Sequence, residues 1–248
     1  MEISVEGLEF RLVCGEYQVT GGFDVKYQSD DTDAPAWARL SLSDDLEKFL
    51  KANPADNYIL EIGNENGYEL LVSGAGTSPA DGILILTEEN DTHAENISVF
   101  FLCATLQEAA RYLFAVFGIS GYVITDTDYG RRQNYRIDAS TYQEALRQLN
   151  AVYQADILFY RQNGIIYYGV QPEQDTYYLL SDDNILDIIK NGDIWNADII
   201  PVPGIRPRQA LQFDCLEYRG IATVISCTLE GDENGIDMRI KFRGLDDG

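Results

Sequence analysis

The side chains able to do chemistry are few and scattered. One histidine, His93, lies in the polar run Glu88–Glu95. A Ser/His/Asp or Cys/His relay would have to be built on it, and no Gly-x-Ser-x-Gly elbow is present to supply a nucleophile. Zinc and iron centres draw on several His or Cys ligands. Cys14, Cys103, Cys215 and Cys227 form no Cys-x-x-Cys pair, so they read as reduced, mostly buried thiols. Gly74-Ala75-Gly76 lacks the following glycine and Lys-Ser/Thr of a phosphate cradle. Asp126-Thr127-Asp128 reads as a polar turn. Asp232–Gly235 reads as a hairpin tip, since no bidentate Glu stands where a calcium loop needs one. No carboxylate pair suited to glycoside hydrolysis can be singled out among 41 acidic residues. The pattern predicts no catalytic residue, no metal ligand and no cofactor.

What remains are residue types that favour protein contacts. Trp37 and Arg39 stand two apart in an alternating run, and Pro203 and Arg206 lie in a proline-dense stretch. Tryptophan and arginine are enriched in contact surfaces, so these four are the candidate interface residues. The pairs Arg131-Arg132 and Arg206/Arg208 are isolated and read as solvated or paired with acids.

The totals agree with a binding or structural protein. A net charge of −23 opposes gripping nucleic acid or an anionic membrane, both of which need clustered Lys and Arg. With 45% hydrophobic residues over 248 positions the chain can build real cores. The start, Met1–Glu6, has no basic or apolar leader pattern, and no apolar run reaches the roughly 18 residues of a membrane span, so no membrane anchor is expected.

The elements that must position these residues read as follows. Residues 1–90 are mostly β. Leu8–Thr20 alternates loosely, Phe23, Val25 and Tyr27 alternate strictly, Ser29–Pro35 reads as a loop, and Trp37–Leu42 alternates again. Ser43 caps a short helix carrying Leu46, Phe49 and Leu50 on one face. Asn66-Gly67 marks a hairpin between Tyr58–Ile62 and Tyr68–Val72, Gly82–Leu86 is a further strand, and Glu88–Glu95 reads as a linker. In the middle, residues 105–116 (TLQEAARYLFAV) and 141–152 (TYQEALRQLNAV) match at eight of twelve positions with a period of 36. Each begins with a capping box, Thr105/Glu108 and Thr141/Glu144. Ala109, Leu113 and Val116 line one face, as do Ala145, Leu149 and Val152. A strand follows each helix, the second turning at Asn163-Gly164. Residues 97–170 therefore read as a module of two helices on one small sheet.

Residues 171–248 return to β. Ile185–Ile189 fits a short helix or a strand, and Asn191-Gly192 is a turn. Pro201–Pro207 is an extended loop because proline cannot enter a central strand. Thr223–Leu229 and Met238–Phe242 pair across Glu233-Asn234-Gly235.

Several runs resemble the baseplate hub proteins of phage tails and contractile injection machines. They are Ala36–Leu42, the strand pair from Gly63 to Gly74, and the helix Thr105–Ala115, which is also similar to small domains of secretins. Pro203-Gly-Ile-Arg-Pro-Arg-Gln209 resembles the family's Pro-Gly-x-Arg-Pro-Gly-Gln, and Gly220–Ile225 matches the strand start that follows it. Arg208 stands where the family has glycine. The resemblance implies an α+β, mainly β fold: two tube-type β-barrel domains, 1–90 and 171–248, flanking the α/β repeat module. It implies a non-enzymatic homotrimer joining a six-fold tail tube, or distal tail protein, to a three-fold spike protein, beside other baseplate proteins. DNA would pass through the channel without specific binding, repelled by an acidic wall. Assembly would take place in the bacterial cytoplasm, with the protein ending in the tail. Two other classes stay open at this point: a tail-associated peptidoglycan hydrolase and a secretin-like periplasmic assembly subunit.

Overall fold

The structure is a computed structural model. It describes all residues except 1–6, 32–34, 75, 77–78, 80, 88–91, 163–164, 172–173, 175–176, 233 and 246–248, and at 92–95 and 162 the backbone alone. The chain forms two compact units. One combines Met1–Asp31, Pro35–Glu89 and Glu173–Gly248; the other is essentially Asn90–Pro172.

The first run of strands begins with β1 (Glu9–Cys14), which turns at Gly15 into β2 (Tyr17–Val19), so the loosely alternating segment is a hairpin. β3 (Phe23–Asp30) buries Val25 and Tyr27 and continues past Ser29, where a loop is predicted. β4 (Trp37–Leu42) buries Ala38 and Leu40. Ser43 then caps α1 (Asp44–Ala52), its hydroxyl accepting from the Leu46 amide. Leu46 and Leu50 are buried, and Phe49 packs half-buried on the same core. β5 (Tyr58–Asn64), β6 (Gly67–Gly74) and β7 (Ile83–Thr87) follow. Asn64 pairs with Gly67, so the hairpin turns on Glu65-Asn66, one step before the predicted pair. Gly67 at φ +154° fills a conformation that L side chains rarely adopt.

The second unit contains the internal repeat. β8 (Thr92–Phe101) begins inside the predicted linker, and His93 falls in it; Glu88–Asp91 lie outside the described residues. β9 (Ala104–Thr105) leads into α2 (Leu106–Val116), then β10 (Tyr122–Ile124), β11 (Arg131–Arg132) and β12 (Tyr135–Thr141). α3 (Tyr142–Tyr153), β13 (Phe159–Gln162) and β14 (Ile165–Tyr168) complete it. Each copy is thus strand–helix–strand, since β8 and β12 precede the helices, and these two pair with each other. The single small sheet expected here is three: β10-β14-β13, β12-β8 and β11-β9. The turn at Asn163-Gly164 lies outside the described residues. Ala109, Leu113, Ala145 and Leu149 are buried, with Val152 packed at the margin of the same core.

The caps differ between the copies. Thr105 and Glu108 form the reciprocal box. Thr141 Oγ1 accepts from the Glu144 amide, but the Glu144 carboxylate accepts from Ser140 N and Oγ. β12 runs straight into α3, and the strand residue Ser140 takes the acid.

The last run comprises β15 (Tyr178–Ser181), β16 (Ile185–Asn191), β17 (Ile194–Ile199), β18 (Ala210–Asp214), β19 (Arg219–Asp232) and β20 (Gly235–Gly244). Its core is aromatic: Phe213 stacks on Phe242 at 4.2 Å between centroids, with Tyr218 and Trp195 against them. The ambiguous segment 185–191 is a strand.

The two runs have the same strand order. Leaving aside the added β2, number the strands of each run one to six. The first lies as two ladders, β1-β5-β6 and β7-β4-β3, which meet at the isolated bridge Gly76–Leu86, two residues past the end of β6, and so follow one another as β1-β5-β6-β7-β4-β3; the second lies β15-β18-β19-β20-β17-β16. Both are 1-4-5-6-3-2, and every neighbour pair after the first is antiparallel in both. The first pair is antiparallel in one, β1 with β5, and parallel in the other, β15 with β18. No ladder closes either order into a complete barrel among the described strands. The runs are not separate domains, because β3 pairs with β19 from Val25–Gly231 to Asp30–Ser226. One hydrophobic cluster fills both.

Burial pushes the Cys227 thiol up to about 12 and raises Cys14 as well. Cys215 is also buried and Cys103 is exposed. A thiolate is the reactive form, so the folded protein at pH 8 is expected to react with a thiol reagent rapidly at Cys103 alone, and at four cysteines once unfolded. Fast labelling of more than one thiol in the folded state would contradict this core.

Candidate interface

Trp37 and Arg39 occupy alternate positions of β4 and share its outward face. Trp37 lies between Gln28 of β3 and Thr87 of β7, and Arg39 between Lys26 and Ile85. Arg39 lines an open polar depression of about 440 Å³ together with Asp24, Lys26, Glu230, Asp232 and Asp237. Lys26 Nζ bridges Glu230 Oε1 at 2.5 Å, tying β3 to β19 across the ladder between the runs. The Asp232 carboxylate accepts from Asn234 N at 2.7 Å and Nδ2 at 3.2 Å, which holds it below its ordinary range. This turn is the predicted hairpin tip.

The outward face also carries a feature that the sequence reading overlooked. In β20, Met238, Ile240 and Phe242 point inward, so Arg239, Lys241 and Arg243 form an outward row. The period-two alternation of Met238–Arg243 holds the signal. Arg239 grips Asp198 through two bonds of 2.6 and 3.0 Å, and the carboxylate raises the guanidinium further. Cations and acids therefore interleave on this face, in contrast to a uniformly acidic wall.

Pro203 and Arg206 lie apart from β4, in the loop between β17 and β18, and both are half-buried. The Arg206 guanidinium donates to the carbonyls of Pro203, of Ile205 at 3.0 Å and of Leu70 at 2.8 Å, with Glu69 at 3.7 Å. It is a strut from the loop to β6. Gly204 packs directly on the Tyr178 hydroxyl, and a Cβ there would overlap it. The glycine of the Pro-Gly-x-Arg-Pro run is thus needed for close approach.

Arg208 has φ +71°, the left-handed conformation for which glycine is the ordinary residue. The need is visible along one edge of β19. β18 pairs up to Thr223, then Gln209 O accepts from Val224 N while Arg208 N donates to Val224 O. Asp31 N donates to Ile225 O, and β3 pairs from Ser226 onward. Arg208 sits where one neighbour gives way to the next, and its guanidinium donates to the Asp31 carbonyl.

The remaining chemical candidates are turns. Asp128 accepts from the Gly130 amide, and Thr125 Oγ1 from the Thr127 amide. Arg131 bonds Glu108 and the Cys103 carbonyl. Asp182, Cys215 and Glu217 bring potential ligand atoms within 4.8 Å. There, however, Cys215 Sγ donates to Tyr218 O and Asp182 accepts from Leu216 N, the internal bonds of a turn. No helix among the described residues is long and apolar enough to cross a membrane.

Neither a family model nor a curated protein matches the sequence. Solved structures do. A 43 kDa tail protein of prophage MuSo2 from Shewanella oneidensis superposes with TM-score 0.63 at 11% identity, over 95% of this chain and 96% of that one. A tail protein from Neisseria meningitidis MC58 gives 0.62 at 10%, over 96% and 97%. This chain has the fold of phage tail proteins. The fold extends to a type VI secretion component of E. coli described as similar to the T4 tail proteins gp27 and gp5, with TM-score 0.63 at 8% identity, over 95% of this chain and 77% of that one.

Arg208 yields a clean comparison. Arg208→Ala and Arg208→Gly both lose the bond to Asp31, but only glycine relieves the left-handed backbone. The glycine variant is expected to be more stable than the alanine variant by about 1 kcal/mol, measured by urea denaturation. Equal stabilities would remove the backbone account.

Proposed function

We propose that the chain is a structural hub of a phage tail baseplate or a related contractile injection machine. Three copies form a ring that adapts a six-fold tail tube to a three-fold spike. The observation that carries this reading is the 1-4-5-6-3-2 strand order, present twice in one chain. Two equivalent strand sets per chain make six per three chains, so a trimer matches a hexamer on one side and a trimer on the other. The two sets serve as the tube-type barrels, with the α/β unit inserted between them.

The partners follow from this place: the spike protein, the tube or distal tail protein, other baseplate proteins and two further copies of the chain. The role is mechanical rather than catalytic. Trp37 and Arg39, outward on the shared sheet, are contact residues, whereas Pro203 and Arg206 brace a loop that shapes the rim. DNA passes the channel without specific binding. On the shared sheet two of the outward cations, Arg239 and Lys26, are tied to Asp198 and Glu230, which weakens any cationic track for phosphates. The protein assembles in the bacterial cytoplasm and ends in the tail.

Electron cryomicroscopy of the chain bound to the spike protein encoded beside it is the direct test. A ring of three copies with six strand sets around one axis is expected. A complex lacking three-fold closure would end the reading.

A further inference from the structure

We propose that Asn191 is a site of self-modification, where the backbone nitrogen of Gly192 attacks the side-chain amide and releases ammonia. An asparagine followed by glycine is the most open to this attack, because glycine puts no side chain beside the nucleophile. The chain carries four such steps: Asn66-Gly67, Asn163-Gly164, Asn191-Gly192 and Asn234-Gly235. Asn163-Gly164 lies outside the described residues. The other three asparagines are all exposed at hairpin ends, so the local backbone decides between them.

Two of the three are alike. Each glycine begins a strand and closes a ladder, Gly67 opposite Asn64 and Gly235 opposite Asp232. The two glycines have nearly the same φ, +154° and +156°. In both turns the side chain opposite the glycine also holds the asparagine: Asn64 Oδ1 accepts from Asn66 N at 3.0 Å, and Asp232 Oδ1 from Asn234 N at 2.7 Å. Asp232 goes further, since its carboxylate also accepts from Asn234 Nδ2 at 3.2 Å and from Gly235 N. The leaving amide and the attacking nitrogen are both restrained there. Attack at either step must first open the end of a ladder.

Asn191 is different. It is itself the last residue of β16, paired with Ile194 of β17, and the turn is Gly192-Asp193. Gly192 opens that turn at φ +65°, the place that glycine takes in a type II′ hairpin. Its nitrogen therefore lies outside the ladder. Among the described residues no hydrogen bond engages that nitrogen or the Asn191 side chain.

The reaction balances with water as its only co-reactant. Gly192 N gives up its proton and bonds to Asn191 Cγ. The Cγ–Nδ2 bond breaks and ammonia leaves with a proton, which leaves a cyclic imide. Water then opens the ring at one carbonyl or the other, giving aspartate or isoaspartate. Either product adds a carboxylate at the tip of the β16–β17 hairpin. Isoaspartate also lengthens the backbone by a methylene next to the Lys190–Trp195 pair, where Nζ lies 5.2 Å from the ring centroid. The chain thus carries a record of its age at this tip.

The full folded chain is aged at pH 8. Peptide mapping by mass spectrometry follows each step, and methyltransferase labelling reads isoaspartate. Asn191 is expected to convert roughly tenfold faster than Asn66 or Asn234, a margin set by attack geometry. In denaturant the three rates are expected to converge, since all three asparagines have the same next residue. Asn191→Gln is expected to melt like wild type and to lose most of the acidic form that builds up on ageing. Asn66 or Asn234 converting as fast as Asn191 in the folded chain, or a ranking that persists in denaturant, would overturn the proposal.

Discussion

The ladder between β3 and β19 is the constraint on which the rest of the first unit depends. It joins residues about two hundred positions apart, and everything between them must leave and return without disturbing it. The Lys26–Glu230 pair spans it on the outward face. On the inner face, Gly231 leaves room for the Phe10 ring, which a Cβ would strike. An antiparallel register of six residue pairs with both flanks filled makes the two strand sets one body, where two independent domains would otherwise be free to move against each other.

The loop before β18 exists to end that ladder correctly. β19 is fourteen residues long and has two successive neighbours on one edge. A strand edge can change neighbours only if something satisfies the backbone groups in the gap. Arg208 and Gln209 do this at Val224, and Asp31 at Ile225. The left-handed φ at Arg208 and the close approach at Gly204 are local costs of that arrangement, and Arg206 fixes the loop against β6.

Local features were readable from the sequence because their causes are local. Strand period two placed β3 and β4, the Asn66-Gly67 turn placed β5 and β6, the Ser43, Thr105 and Thr141 caps opened three helices, and the repeat marked the second unit. β8 and the long-range pairing were not readable for a physical reason. Hydrogen bonds between strands carry no side-chain signature, and a polar start such as Thr92–Asn96 conceals a strand whose backbone alone pairs. Segment 185–191 suited helix or strand because apolar residues at 185, 186, 188 and 189 satisfy both periods. Of the four candidate interface residues, Trp37 and Arg39 do face outward. Arg206 faces carbonyls of its own unit, since a guanidinium with several donors is equally suited to bracing a loop. The mainly β, α+β fold and its tail-protein likeness thus followed from ordered motifs.

The connection between the third and fourth strands is a helix in one set, α1 with its cap at Ser43, and the proline-braced loop Pro201–Gln209 in the other. The strands below them are equivalent; these crossings are not. Around any closed circle of such chains the two crossings alternate, helix then loop. In the proposed ring of three, one surface would present six sheets of like strand order, while the rim formed by these crossings would repeat only once per chain. That ring would carry a change of rotational symmetry written into a single polypeptide by what it places between two strands.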